Sequence, residues 1–140
     1  MPSPTSLRLP DRVKDRLEHS AARHRERPAA LAVRLIDEGL RMVDHPGVVF
    51  HDSPAHGRVA SLAGGPDIAE VIIVLTGLGS QGEDRVGETA IWLGIHPARV
   101  RVAVAYYTQY HDEVDSQMKR RQQEAEELRR RHEAAQALLG

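Results

Sequence analysis

Apolar and polar positions alternate once, at the start of the chain, in Thr5-Ser6-Leu7-Arg8-Leu9-Pro10, and then change to a helical period. The alternation places Leu7 and Leu9 on one side of an extended segment and Ser6 and Arg8 on the other. Val13, Leu17 and Ala21 follow at intervals of four and predict a helix over residues 11–25. Pro10 suits its first turn, and Asp11 and Asp15 favour its positive end. Leu31, Leu35, Ile36 and Leu40 predict a second helix over residues 28–43, again entered through a proline, Pro28. The sequence between them, Arg23-His24-Arg25-Glu26-Arg27, contains no apolar residue and reads as the turn.

A single strand has no partner within such a unit, so its backbone donors and acceptors must be satisfied from elsewhere. The simplest source is the same strand of a second copy. Two copies about a twofold axis would pair as an antiparallel ribbon, with Leu7 and Leu9 inward and Ser6 and Arg8 outward. Neither helical stripe is wide enough to close a core alone. Two copies together can enclose one from Leu7, Leu9, Val13, Leu17, Leu31, Leu35, Ile36 and Leu40. A two-stranded ribbon fits a DNA major groove, where an arginine can contact guanine bidentately for about 1–3 kcal/mol of discrimination, and a serine reads bases weakly.

Beyond His45 the pattern breaks into short apolar patches, Val48-Val49-Phe50 and Arg58-Val59-Ala60-Ser61-Leu62, separated by Ser53-Pro54, which predicts two short strands. Gly64-Gly65-Pro66-Asp67 is a strong break, and Asp67 can start a helix carrying Ile68, Val71, Ile72 and Leu75. Propensity alone favours a buried strand for the β-branched run Val71–Leu75. Further on, Val86, Ala90, Trp92 and Leu93 give an apolar helix that Gly94 ends. Pro97 begins the next, with Val100, Val104 and Tyr107 on its face. The elbow Leu93-Gly94-Ile95-His96-Pro97 has the form of a helix-turn-helix, whose second helix offers Arg99 and Arg101 to a nucleic acid. In so acidic a segment, a structural three-helix core is the competing reading. Residues 116–140 are rich in Glu, Arg, Gln and Ala, with Leu128, Leu138 and Leu139 the main apolar positions. They read as a solvated helix that either lacks a partner or docks on one.

Composition narrows the chemistry. The 140 residues are 41% hydrophobic and 28% charged, the range of a globular chain, but only 4% aromatic, so the cores must be aliphatic. No cysteine is present, which removes disulfides, thiol nucleophiles and cysteine-zinc sites. Of the eight histidines, His45, His51 and His56 with Asp52 share one loop region, but their spacing matches no compact zinc pattern. No phosphate-binding glycine loop or nucleophile elbow is found. Neither catalytic residues, nor a metal, nor a cofactor, nor an enzyme activity is expected. There is no signal peptide or transmembrane run, so the expected location is cytoplasmic, on the nucleoid, without membrane contact.

Net charge is −1, but it is unevenly distributed. Residues 1–44 carry nine Arg/Lys against seven Asp/Glu, residues 45–116 four against nine, and residues 117–140 six against four. Phosphate would repel the middle segment and tolerate both ends.

The strand and two helices, with Ser6-Leu7-Arg8-Leu9-Pro10 running into Val13 and Leu17 and the Leu31, Leu35 and Ile36 face beyond, resemble the ribbon-helix-helix DNA-binding proteins of the Arc and MetJ type over about Thr5 to Met42. The resemblance implies base contacts by Ser6 and Arg8, with Pro4 at the edge. It also implies a backbone phosphate held at the start of the second helix, by Arg25, Arg27 and Ala29. Many relatives carry Ser or Thr at that cap. This chain has Glu26-Arg27-Pro28, which moves the expected phosphate contact to the Arg27 side chain.

Residues 45–115 resemble a small bacterial domain family of uncharacterised biochemistry that occurs in antitoxins. The resemblance rests on His45-Pro46-Gly47-Val48, the Ala63-Gly64-Gly65-Pro66-Asp67 turn into Val71, Tyr106-Tyr107 and Glu113-Val114-Asp115.

The expected fold is thus mainly α with short β. A ribbon-helix-helix dimerisation and DNA-binding domain occupies residues 1–44, a helix-turn-helix-like domain 45–115 and a charged helical tail 116–140. The expected function is a homodimeric or higher-order repressor of a palindromic or repeated double-stranded DNA operator, serving as the antitoxin of a toxin pair, with a cognate toxin as partner. An architectural or partition-type protein that coats or bridges DNA is the alternative.

Overall fold

Pro10, at φ −55°, leads directly into helix α1 (Asp11–Arg23), whose first intrahelical bond runs from Lys14 N to Pro10 O at 3.0 Å. The helix stops two residues before the expected Arg25, because Arg25 adopts the left-handed conformation (φ 54°). That turn lets Glu26 N donate to Ala21 O (2.9 Å) and Arg25 N to Ala22 O (3.3 Å), the two bonds of a Schellman closure. Helix α2 (Pro28–Asp44) follows, and Arg34 fastens the turn to it through Glu26 at 2.6 Å. From the turn, α1 and α2 diverge without packing along their lengths. Ala21 and Leu31, near the turn, are their buried apolar residues.

The computed structural model describes residues 2–140, of which 68% are helical; the remaining regular structure is one two-stranded antiparallel sheet. The chain divides into two compact units, Met1–Arg41 and Met42–Gly140, so the last residues of α2 group with the second unit.

In the second unit, strands β1 (Val48–Ser53) and β2 (Gly57–Leu62) pair from Val48 with Leu62 to Ser53 with Gly57. Gly57 takes a positive φ (75°), which closes the connection, as Gly94 (φ 67°) does between α4 (Gly82–Leu93) and α5 (Pro97–Leu139). The β-branched run Val71–Leu75 lies within helix α3 (Ile68–Gly77). Ile68, Ala69, Val71 and Ile72 are buried at helical spacing against α5, α4 and β2, and this tertiary burial overrides strand propensity. The core joins these residues to Val48, Ala60, Leu62, Ala90, Val100, Ala103, Tyr106 and Val114.

Two expectations are corrected. Trp92 is 74% exposed and Ile91 83%, so Trp92 does not share the inward face of Val86, Ala90 and Leu93. At about 100° per residue it lies opposite Ala90. In addition, Ser116 is not a boundary. Helix α5 passes through it, Val114 and Gln117 are buried, and Met118 packs on the core, so the first turns of the expected tail belong to the folded unit. The helix has one break, at Tyr110 (φ −122°, ψ 38°). Two hydroxyls bridge that break: Tyr106 donates to Glu113 (2.8 Å) and Tyr107 to Asp115 (2.7 Å).

Candidate nucleic-acid interface

The ribbon segment has no regular structure within a single chain. Residues 2–10 are exposed, and Leu7 shows 65% of its surface. Pro4, Ser6 and Arg8 lie on this segment, open to solvent. Its two leucines and its peptide groups are open to solvent.

The divergence of α1 and α2 leaves a groove of about 520 Å³ in the first unit, lined by Leu9, Val13, Leu17, Ala32, Leu35 and Ile36, with Arg16, His19, Ser20 and Arg23 at its polar edge. Of the eight expected dimer-core residues, Leu9, Val13, Leu17, Leu35 and Ile36 face this groove. Leu7 and Leu40 are exposed outside it. Leu31, at 1% exposure, is already buried within its own chain, where it lies close after the turn.

At the turn, Arg25 and Arg27 are exposed. The first intrahelical bond of α2 runs from Leu31 N to Arg27 O (3.0 Å), so the amides of Ala29 and Ala30 precede the helical ladder. No acidic residue occupies the first turn of α2. Both features favour an anion at this helix end.

The second candidate reading helix is differently disposed. Arg99 donates to Ala63 O (2.6 Å) and Gly65 O (2.7 Å), capping the turn that contains the cis Gly65–Pro66 peptide. Arg101 pairs with Glu83 of α4. Both cations of α5's first turns are therefore engaged inside the unit.

The histidines of the hairpin region are structural partners. His45 bonds Gln109 (2.7 Å) and packs edge-on against Tyr106 and Tyr110, with ring centroids at 5.4 and 5.9 Å. His51 Nε2 lies 3.0 Å from Asp67, and His56 is 3.7 Å from Glu124 of α5. Among the described residues, no group of three or more His, Cys, Asp or Glu is arranged to hold a metal ion.

Asp67 also receives Arg121 at 2.9 Å. Burial pushes the Asp67 carboxyl up, but hydrogen bonds from His51 and Arg121, with Arg121's charge, outweigh it and hold the group below its ordinary value. The Tyr107 phenol is raised, first by its bond to Asp115 and then by burial and nearby carboxylate charge. Sequence spacing gave no sign of the contact between Asp67 and Arg121, whose partners are 54 residues apart.

No helix among the described residues is long and apolar enough to cross a membrane. Compared with protein-family models, curated proteins and solved structures, the chain finds no match in any of the three.

Proposed function

We propose that the chain is a homodimeric, sequence-specific DNA-binding repressor of the ribbon-helix-helix kind, acting as the autoregulating antitoxin of a toxin pair. The observation that carries this reading is the groove between α1 and α2, placed beside an exposed segment with Leu7 and Leu9. A second copy's helices fill the groove, and its residues 5–9 pair with the same residues of the first. Each large apolar side chain so covered contributes about 1.5–3 kcal/mol at full burial, less the cost of association. The paired strands enter the major groove with Ser6 and Arg8 against base edges and Pro4 at the edge. Arg25, Arg27 and the Ala29 amide hold the flanking phosphate. The bonds of Arg99 to the turn carbonyls and the pair of Arg101 with Glu83 favour the N-terminal segment as the reading element. The antitoxin role is supported by the resemblance of residues 45–115 alone, and the toxin contact falls to the exposed part of α5.

The test is operator selection from random duplexes with the wild-type chain, followed by binding of Arg8→Ala and Arg27→Ala across a salt series. Arg8→Ala should relax preference at one base pair per half-site. Arg27→Ala should weaken all sequences alike and lower the salt slope by about 1. Unchanged affinity and selectivity for Arg8→Ala sinks the ribbon assignment.

A further inference from the structure

From Gln122 onward every residue of α5 is exposed, including Leu128, Leu138 and Leu139. The packed part of α5 nucleates this stretch, but the stretch itself buries no apolar surface. Local pairs help: Glu127 with Arg130 and Arg131, and Arg129 with Glu133, all at spacings of three or four. They leave the apolar residues uncovered.

Two of the three leucines, with two alanines and a histidine, fall on one face, and Leu138 flanks it. Ala125, Leu128, His132, Ala135 and Leu139 are spaced three, four, three and four, a heptad seam with Ala125, His132 and Leu139 at a and Leu128 and Ala135 at d. Toward the N-terminus the same spacing runs through Arg121 and Met118 to Val114, which are occupied within the unit: Arg121 by Asp67, and Met118 and Val114 by the core. The seam that packs the helix onto its own unit therefore continues past it into solvent.

We propose that this free seam pairs with the same residues of a second copy as a parallel two-stranded coiled coil, which leaves the helix faces outside the seam for the toxin contact. The charges beside the seam choose both the occupant and the direction. In a parallel pair, Glu124 at g, which keeps 55% of its side chain exposed beside His56 of its own chain, faces Arg129 at e of the other copy, twice by symmetry. An antiparallel pair that overlaps the whole free stretch sets Arg129 against Arg129 and Arg131 against Arg131, which is repulsive. The antiparallel register that would bring Glu124 to Arg131 instead requires Met118 and Arg121, already committed to their own unit. The polar His132 at a meets its own copy only in the in-register parallel pair.

The chain contains no cysteine, so single cysteines report pairing directly in the full-length protein. Ala135→Cys sits at d, Ala137→Cys on the outer face and Ala125→Cys at a, all at exposed positions. In a glutathione redox buffer, Ala135→Cys should form disulfide-linked dimer in at least tenfold excess over Ala137→Cys. Equal linking at the two positions, or none at 135, overturns the proposal. So does linking between an Ala125→Cys chain and an Ala135→Cys chain when neither links to itself, which marks an antiparallel pair. The readout involves no DNA, so its failure is separate from failure of the ribbon reading.

Discussion

Arg121, late in α5, reaches Asp67 at the start of α3 with an N···O distance of 2.9 Å, and the two side chains keep only 15% and 19% of their surface exposed. With His51 on the other oxygen of Asp67, this contact ties hairpin, α3 and α5 to one carboxylate.

Removing either partner should be costly for the second unit. Asp67→Asn or Arg121→Ala should lower its unfolding free energy by about 2 kcal/mol, the scale of a charged hydrogen bond lost from a partly buried site. The folded pKa of Asp67 is depressed, so its contribution is present above the unfolded value of about 4 and is lost as pH falls through the folded one. Urea unfolding at a series of acidic pH values should show wild type losing stability below pH about 4 with a steeper slope than Asp67→Asn. Equal slopes would mean that the carboxylate is not so held.

Arg25 occupies a left-handed position where glycine is the usual residue. Arg25→Gly should therefore stabilise the first unit by about 1 kcal/mol, by relieving the Cβ crowding of that conformation. The same change removes an exposed cation from the candidate phosphate site, so DNA affinity should fall as stability rises. Thermal unfolding and a salt-dependent binding series read the two effects separately. A fall in both would show the arginine side chain to be part of the turn's support.

Leu35 and Ile36 are 44% and 49% exposed in the single chain, so a charge there costs the isolated unit little. Leu35→Asp should nevertheless abolish the proposed N-terminal dimer and, with it, the proposed DNA binding. Sedimentation of a fragment spanning the first unit would confound folding with association. The full chain should be used, with circular dichroism to confirm that helix content is retained. Retained DNA affinity in this variant would place the dimer contact elsewhere.

Arg99 and Arg101 separate structure from recognition. Arg99→Ala leaves two turn carbonyls without their donor and should lower stability by about 1–3 kcal/mol. Arg101→Ala removes an exposed pair with Glu83 and should change stability by under about 1 kcal/mol. Neither should alter DNA affinity beyond the general loss of positive charge. Sequence-selective loss with either variant would restore α5 as a reading helix.

Local rules carried much of the architecture. Pro10, Pro28, Gly94 and Pro97 mark helix ends, and α2, β1 and β2 start or finish within a few residues of where period and breakers place them. For the run Val71–Leu75 the helical spacing after Asp67 was the better guide than strand propensity, and the reason is non-local: α3 packs against α5, α4 and β2. What escaped lay in single positions. Arg25's left-handed turn could not be anticipated from a residue type that rarely adopts it. In the candidate interface, the exposed Ser6 and Arg8 and the groove residues could be named from alternation and period. Leu31 could not be separated from them, because its burial depends on how far α1 and α2 diverge.

The bonds of Tyr106 to Glu113 and Tyr107 to Asp115 act across the break at Tyr110 as a double brace, and Arg121 adds a third anchor further along. The distal helix is therefore a cantilever. Its 18 residues beyond Arg121 up to Leu139, roughly 27 Å at 1.5 Å per residue, leave the second unit in a set direction. A load applied at its end would act on the unit as torque, which a flexible tether would dissipate.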